Sequence, residues 1–434
     1  MTDADTAQPV AAGATAATPL GRLGTAMAIS NIGSYIALLT PLQLLLTLHL
    51  TRIASSGAAA AFGLVTGLGA FFALVANPLA GRISDRTTAA FGRRRTWILS
   101  GAVAGAAVLM TMAFTTQVWQ VAVVWCLVQA LFNFQLAATS ALLADQVPVD
   151  RRGTVSGFLG LTVAVGPILG IAAASAIADP LAQWVMVAVV AVIAAVVAVV
   201  LLRDPRHHAP TGSPSLGLGE LARSFWLNPR RHPAFGWAWL VRFLITCAYA
   251  AGTYNAFFLI DRFGIAPDAV APYVLQLSLL SVALLALASG VSGVISDRLR
   301  RQKPFVVAAG VVSATGLALM AFAPSLPVVF VAVALLGFGT GLFFSIDSAL
   351  CVRMLPSAAD AGKDFAIINM ANTIPQSFVP FIAPALLAVG GYPALYLFLA
   401  VLGLAGAWFV RRLPELGREG APGTAPITVG AEPA

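Results

Sequence analysis

The stretch Gly81-Arg-Ile-Ser84-Asp85-Arg86-Thr-Thr-Ala-Ala-Phe91-Gly92-Arg93-Arg94-Arg95 separates two apolar segments, residues 58–80 and 96–116. Each segment has the roughly 20 apolar residues that an α-helix needs to cross a bilayer. Neither segment contains a charged residue, whereas the stretch between them contains six. This arrangement predicts two membrane-spanning helices joined by a short basic connection.

The composition of the whole chain extends this interpretation. Of 434 residues, 59% are hydrophobic and 10% are charged, and the mean hydropathy is +0.89. Soluble domains carry about 25% charged residues, so the composition excludes a soluble enzyme and a disordered protein. Cysteine occurs only at positions 126, 247 and 351, within or at the end of apolar segments, which argues against a disulfide-stabilised fold.

Apolar segments of spanning length occur in two sets of six. The first set comprises residues 24–48, 58–80, 96–116, 119–143, 154–178 and 183–202, and the second 236–260, 272–295, 305–324, 327–350, 365–388 and 391–410. We therefore expect an all-α integral membrane protein with twelve transmembrane helices in two pseudo-symmetric six-helix bundles. The expected organisation is a tail (1–23), a first bundle (24–202), a linker rich in Pro, Gly and Arg (203–235), a second bundle (236–410) and a tail (411–434).

The connections on the two sides of the predicted bundle differ in charge. In alternate connections, 22 of the 25 Lys and Arg residues fall on one side, Arg52 and Arg262 fall on the other, and Arg242 lies inside a span. Because Lys and Arg are enriched in cytoplasmic loops, we expect both tails and the linker to be cytoplasmic, in a multi-pass protein of the plasma membrane. The net charge of +8 then belongs to the cytoplasmic surface, and no nucleic-acid partner is expected.

The sequence also repeats itself. Gly81-Arg-Ile-Ser-Asp85-Arg86 after the second span corresponds to Gly293-Val-Ile-Ser-Asp297-Arg298 after the eighth, at an offset of 212 residues. Ser140-Ala-Leu corresponds to Ser348-Ala-Leu at an offset of 208. Transporters are often built from repeated helical bundles, so two matches at nearly equal offsets indicate duplication of a six-helix unit.

These residues resemble the major facilitator superfamily, in which Gly-x-x-x-Asp-Arg followed by Gly-Arg-Arg connects the second and third spans. The matching residues here are Gly81, Asp85 and Arg86, followed by Gly92-Arg93-Arg94. The long spacing before Phe91-Gly-Arg-Arg-Arg95 is similar to that of the sucrose carrier and glycoside symporter branch. The resemblance implies two bundles around a central cavity and transport by alternating access, in which this motif takes part in gating.

Charged residues at the helix ends are the candidates for gating. The carboxylate of Asp85 follows the second span and can accept charge-assisted hydrogen bonds from arginine, and Asp145 at the end of the fourth span is a candidate neighbour. Under the alternative interpretation, these groups only satisfy helix ends and the positive-inside rule. The predicted gating and coupling residues are Gly81, Asp85, Arg86, Arg93, Arg94, Asp145, Asp297, Arg298 and Asp347.

Polar side chains inside the spans are the candidates for substrate binding, because each needs a partner away from water. Several form stripes at 100° per residue, and the resemblance places spans 1, 4, 7 and 10 around the cavity. Amides and hydroxyls suit a neutral polyol such as a sugar. The alternatives are hydrogen bonds between helices and, for Arg242, snorkelling to the membrane surface. The predicted substrate-binding residues are Asn31, Tyr35, Gln129, Asn133, Arg242, Tyr249, Thr253, Asn369, Thr373 and Gln376.

Glycine and proline mark special positions in the spans. Glycines four residues apart, at positions 63 and 67, 101 and 105, and 337 and 341, are expected to allow close helix packing. Prolines at positions 375, 380 and 384 remove backbone hydrogen bonds and favour kinks in span 11.

The expected function is that of a secondary transporter and not of an enzyme. We expect a proton-coupled symporter of a sugar or similar small polar solute, acting as a monomer in the lipid bilayer with no cofactor and no metal. The second span lacks the carboxylates that sodium-coupled carriers of the similar branch have there, which argues against sodium. The alternative is a proton-coupled exporter of drugs or metabolites, because Gly153, Gly166-Pro167 and Gly170 partly match the fifth-span motif of superfamily antiporters, with Thr162 in place of a further glycine.

Overall fold

The computed structural model describes residues 18–54, 57–148, 151–204, 233–299, 302–353 and 361–413, and every regular element in these ranges is helical. Ten helices long enough to cross a membrane precede a final helical run. They are α1 (Leu20–Ile53), α2 (Ala58–Arg86), α3 (Arg93–Phe114), α4 (Val118–Gln146), α5 (Arg152–Ser175), α6 (Pro180–Leu201), α7 (Pro233–Phe263), α8 (Ala271–Leu299), α9 (Lys303–Ala321), α10 (Leu326–Arg353) and the run Ala361–Phe409.

The final run consists of two crossings. It has 49 residues, which as one straight helix would be about 74 Å long, more than twice the roughly 30 Å of a hydrocarbon core. The backbone leaves helical geometry at Gly390 (φ −153°, ψ 22°) and at Gly391 (φ 62°, ψ −156°), a positive φ that favours glycine. The break separates α11 (361–389) from α12 (392–409), and the fold has the predicted twelve spanning helices.

We call the end of the molecule at which α2 and α8 terminate the Arg-rich end, and the other end the distal end. Residues 81–86 form the last turns of α2, not a connection as the sequence pattern predicts, and residues 293–298 likewise belong to α8. The apolar pattern marks only the part of a helix inside hydrocarbon, whereas backbone hydrogen bonding continues into the interface. The connection between α2 and α3 is therefore only residues 87–92.

Two other boundaries differ from the sequence-based expectation. Helix α1 begins at Leu20, inside the predicted first tail, and α7 begins at Pro233, inside the predicted linker. Residues 205–232 of that linker, residues 1–17 and residues 414–434 lie outside the described part of the chain.

The helices pack as two sets. Helix α1 contacts α4, α5 and α6, and α4 also packs against α2 and α3, while in the second half α10 packs against α8 and α9, and the final run packs against α7 and α9. The halves meet where α2 packs against the final run, α5 against α8, and residues 41–45 of α1 against α7 and α8. This is the two-bundle architecture expected from the sequence.

The first helix of each half is irregular at an equivalent position. Residues Pro41–Leu45 of α1 form a π-helical segment, and residues Ala250–Tyr254 of α7 form a 3₁₀ segment, 209 positions further along. Pro41 removes a backbone donor, and mid-helix π and 3₁₀ segments mark strained positions. The two segments pack against each other, so the irregularities face one another across the boundary between the halves.

The predicted close packing at paired glycines is confirmed. A Cβ at Gly101 or Gly105 would meet α4, at Gly337 or Gly341 it would meet α8, and at Gly63 or Gly67 it would meet α11. Small residues at such contacts let helix backbones approach closely. The last pair joins the two halves.

Candidate functional site

Arg94, at the beginning of α3, connects the Arg-rich ends of three helices. Its Nη1 donates to Ser84 Oγ at 2.8 Å and its Nη2 to Asp85 Oδ1 at 2.6 Å, both on α2, and its Nε donates to Asp145 Oδ2 at 2.7 Å on α4. The side chain is 3% exposed. A guanidinium presents its donors in a rigid planar fork, so one side chain can satisfy acceptors on two neighbouring helices.

Arg93 adds a second cation, with Nη2 at 2.8 Å from Asp145 Oδ2. We call Arg93, Arg94, Ser84, Asp85 and Asp145 the arginine cluster. The predicted proximity of Asp145 to the Asp85 motif is confirmed. The described contacts of the cluster all lie within the first half, and the Asp85 side chain is 57% exposed, which leaves it accessible to a further partner. The gating role of these residues stays a prediction.

The first half places a pair of amides deep in the membrane. Asn77 Nδ2 on α2 donates to Asn133 Oδ1 on α4 at 3.1 Å, and Asn133 Nδ2 donates to the Gln129 carbonyl at 2.7 Å. Asn77 lies nine residues from the end of α2, about 14 Å along the helix. For Asn133, the contact seen is therefore a hydrogen bond between helices, at the depth where a central cavity is expected.

The second half places a cation at a similar depth. Arg242 Nε on α7 donates to Asn372 Oδ1 on α11 at 2.9 Å, and Thr246 Oγ1 donates to the same oxygen at 3.2 Å. Arg242 is 7% exposed, and its guanidinium is directed at Asn372 on α11. Further along α7, the Tyr249 hydroxyl donates to the Gly339 carbonyl of α10 at 3.2 Å. These contacts hold polar groups of α7 about 14 to 24 Å from its Arg-rich end.

The remaining predicted residues are distributed more widely. Asn31 is buried on α1 with its Oδ1 lacking a hydrogen-bond partner among the described residues, Tyr35 is partly buried beside Gly166, Thr253 is buried, and Gln376 is exposed. Arg86 and Arg298 are exposed, and a Cβ at Gly81 would meet nothing within 4 Å. The side chains of Asn369, Thr373, Asp297 and Asp347 lie outside the described residues. No group of three or more His, Cys, Asp or Glu residues in the described ranges could hold a metal ion.

Sequence reasoning missed three of these partners. Asn372 lies one residue from the predicted Thr373, Asn77 lies directly before Pro78 and four residues before the motif that begins at Gly81, and Ser84 is inside the motif itself. An amide within an apolar span is a signal that could have identified Asn77 and Asn372. Ser84 gave no such signal, because serine is unremarkable at a helix end.

Aromatic side chains close the distal end across the two halves. The Phe62 ring on α2 lies 5.3 Å from the Tyr254 ring and 5.2 Å from the Phe257 ring, centroid to centroid, both on α7 and both in edge contacts. All three side chains are buried. Edge-to-face pairs at this separation contribute about 0.5–1.5 kcal/mol each beyond area burial. We call Phe62, Tyr254 and Phe257 the aromatic closure.

Beside the aromatic closure, α2 and α11 approach each other at Gly63. A Cβ added there would lie 2.5 Å from the Pro380 carbonyl oxygen and 2.5 Å from Pro384 Cγ. Proline at position 384 has no N–H to donate to the carbonyl four residues earlier, so the Pro380 oxygen is left without its helical partner. The Tyr254 hydroxyl lies 3.5 Å from this oxygen. Glycine at position 63 is thus required for α2 to pack this closely against the Pro380 carbonyl.

The two ends of the boundary differ. The halves are in van der Waals contact around Phe62 and Gly63 at the distal end, whereas a Cβ at Gly153 or Gly157 of α5, or at Gly290 or Gly293 of α8, would have no described atom within 4 Å. Among the described residues, the halves therefore make a close approach at the distal end that has no counterpart at these four glycines near the Arg-rich end. Such an asymmetry can expose the buried polar groups to one side of a membrane only.

A family comparison matches most of the chain. Residues 20–358 and 275–431 match the family model described as Major Facilitator Superfamily. Among solved structures, the fold is similar to nucleoside transporter NupG, with a TM-score of 0.67 and 14% identity over 90% of this chain and 98% of that chain. It is also similar to a D-xylose-proton symporter, with a TM-score of 0.64 and 16% identity over 91% and 97% of the two chains.

A curated relative matches a shorter part. Multidrug resistance protein MdtG of Salmonella choleraesuis (strain SC-B67) is 32% identical over 117 residues, which is 27% of this chain and 28% of the relative. The chain thus aligns with little more than a quarter of that relative's length.

Proposed function

Because this chain belongs to the major facilitator superfamily, we propose that it is a secondary transporter that moves a small polar solute by alternating access between its two halves. The observation that carries the proposal is the hydrogen-bonded polar pair in each half, Asn77 with Asn133 and Arg242 with Asn372, at mid-membrane depth. Asn133 and Arg242 are buried, Asn372 is half-buried and Asn77 is exposed. Polar groups in the membrane interior are costly, and they usually mark a substrate or ion pathway. A boundary closed at one end only is what a carrier needs in one of its two states.

The charge distribution supports an orientation for this carrier. With 22 Lys and Arg residues on one side and 2 on the other, the Arg-rich end corresponds to the cytoplasm. Under this proposal, the described state is open toward the cytoplasm, and the termini and the linker are on the cytoplasmic side of the plasma membrane. The arginine cluster sits at the end that must close when the carrier changes state.

For the substrate, we propose a sugar or a similar polyol, taken up with protons by a monomer. The amide, hydroxyl and guanidinium groups between α7 and α11 are suited to hydrogen bonding with hydroxyls, and the Tyr249 ring offers an apolar face. The fold is shared with a D-xylose-proton symporter and a nucleoside transporter, so it can accommodate solutes of this size.

Uptake into proteoliposomes tests the proposal. We expect an inside-alkaline pH gradient to stimulate uptake of at least one member of a labelled panel of pentoses, hexoses, disaccharides and nucleosides. Arg242→Gln should lower uptake about 10- to 150-fold, because a hydrogen bond to a charged group contributes about 1.5–3 kcal/mol. Arg262→Gln, an exposed residue at the distal end of the same helix, is the matched control and should leave uptake unchanged. If the pH gradient stimulated uptake of no member of the panel, the proposal would be wrong.

A proton-coupled exporter of drugs or metabolites is the second candidate. Two observations favour it: the match to a multidrug resistance protein, and the packing of α5 on α1, where a Cβ at Gly166 would meet Tyr35 and one at Gly170 would meet Thr40. These are the glycines that partly match the antiporter motif. In cells without other exporters, expression should then lower accumulation of a fluorescent cationic dye, and Gly170→Leu should abolish the effect. An effect on sugar uptake alone would favour the first candidate.

A further inference from the structure

Asp204 lies at the end of α6, where the chain leaves the first half, and it contacts the arginine cluster through the backbone. Its Oδ2 accepts hydrogen bonds from Arg94 N at 2.6 Å and from Arg95 N at 3.0 Å. These are amides of the first turn of α3, which have no partner within their own helix. A carboxylate at this position also interacts favourably with the positive end of the helix dipole.

The local sequence explains why a distant residue supplies this contact. The position that would normally cap α3 is Gly92, which has no side-chain oxygen and a φ of 106°. A Cβ at Gly92 would lie 2.5 Å from the Asp204 carbonyl oxygen and 2.6 Å from Asp204 Oδ2. Glycine therefore leaves the space that the Asp204 carboxylate occupies, and Asp204 acts as the helix cap from 110 residues away in sequence.

The segment that carries Asp204 is itself fixed. Arg203 N donates to Thr18 Oγ1 at 2.9 Å, Thr18 Oγ1 lies 3.2 Å from the Arg203 carbonyl, and Gln146 Nε2 donates to that carbonyl at 3.1 Å. Residues 203 and 204 are thus attached to the start of α1, the end of α4 and the start of α3. The chain to the second half continues directly from this point.

The described part of the second half shows no equivalent contact. Helix α9 begins at Lys303 after Gln302, which makes no side-chain cap hydrogen bond. At the repeat offset of 208, Arg203-Asp204 corresponds to Arg411-Arg412, and Arg412 is exposed and lies over the Trp237 ring at 5.7 Å from its centroid. Within the described residues, the third helix of a half therefore has an acidic cap only in the half that contains the arginine cluster.

We infer that Asp204 is a positioning residue of the arginine cluster. By fixing the Arg94 amide, the Asp204 carboxylate fixes the point from which the Arg94 side chain reaches Ser84, Asp85 and Asp145. These contacts belong to the described state, in which the distal end is closed, so the Asp204 carboxylate stabilises that state relative to one in which the cluster is rearranged. The inference rests on the proposed alternating-access function.

The test compares Asp204→Ala with Asp179→Ala. Asp179 is a matched control, since its carboxylate caps α6 in the same half by accepting from Ala182 N at 2.7 Å, far from the cluster. Spin labels at Thr154→Cys on α5 and Leu299→Cys on α8, both exposed near the Arg-rich end, report the separation of the halves in a chain whose native cysteines are replaced.

We expect two distances in the parent chain. Asp204→Ala should lower the ratio of the long to the short distance about 5- to 30-fold, the effect of losing about 1–2 kcal/mol. Asp179→Ala should change this ratio less than about twofold, although both variants lose a helix cap and should unfold at lower temperature. Asp204→Asn, which keeps an acceptor but loses the charge, should give an intermediate ratio and serves if the alanine variant does not fold.

A parent chain with two distances and Asp204 variants with an unchanged ratio would overturn the positioning role alone. A single distance in the parent chain under all conditions would overturn both the positioning role and the alternating-access function. An equal shift in Asp179→Ala would show a general effect of helix stability and would also overturn the inference.

Discussion

Replacing Gly63 by alanine should force open the distal contact between α2 and α11. The added Cβ would lie 2.5 Å from the Pro380 carbonyl oxygen and 2.7 Å from Pro384 Cδ, whereas ordinary contacts lie at about 3.5–4.0 Å. Neither a backbone carbonyl nor a proline ring can rotate away. The two helices must therefore separate by about 1 Å at this point.

The cost follows from this geometry. Overpacking of this kind typically costs about 1–3 kcal/mol, and it applies only to the state in which the distal end is closed. The ratio of closed to open molecules should fall about 5- to 150-fold. Gly67→Ala should have a smaller effect, because its nearest contact, Phe381 Cα at 3.3 Å, requires a shift of only a few tenths of an ångström.

The assay is a distance distribution between spin labels at the distal ends of α2 and α11. Ala60→Cys and Val389→Cys are suitable sites because both residues are exposed. Gly24→Ala in α1 is the control, since a Cβ there would meet nothing within 4 Å, and it gains the same helix propensity of about 1 kcal/mol. If Gly63→Ala gave the distribution of the parent chain, the role assigned to this close approach would be wrong.

Three further changes should have separable effects. Phe62→Ala should also open the distal end, because it removes both ring contacts across the halves at a cost of about 3–5 kcal/mol; Phe71→Ala, 60% exposed on the same helix, should not alter the spin-label distances. Arg94→Lys should lower the unfolding temperature in detergent, because an ammonium cannot present a planar fork to acceptors on two helices. Each buried acceptor left unpaired costs about 1–3 kcal/mol. An unchanged unfolding temperature would contradict the cluster geometry. Gly391→Ala should destabilise the chain by about 1–3 kcal/mol, because essentially only glycine adopts this combination of φ and ψ. Equal denaturation midpoints would show that the α11–α12 break can relax.

Much of the architecture could be predicted because the bilayer imposes simple rules. Backbone groups inside lipid must be satisfied within a helix, so length and apolarity were sufficient to place twelve spans, including the break near Gly390. The motif around Asp85 was also recognisable, because an aspartate followed by several arginines at the end of an apolar segment is a distinctive local pattern. The exact helix ends were not predictable, since hydropathy falls before the helix stops at Arg86.

The candidate site was predictable only in part. Stripes at 100° per residue identified Arg242 and Asn133, but not their partners Asn372 and Asn77, because the rotation of a neighbouring helix decides which of its residues is in reach. Thr373 and Asn372 differ by one position and by about 100° of rotation. Nothing local in the sequence distinguishes them.

The sequence by itself determined the membrane class, the two related sets of six spans and the unequal charge of the two sides, because each depends on local composition. The tertiary structure alone decided that Asp204 caps α3 beside Arg94, and that Gly63 meets Pro380 across the two halves. Those contacts join residues that are far apart in the chain, and they depend on how the helices rotate and approach each other. Side-chain packing between segments determines this rotation and approach, whereas local hydropathy does not.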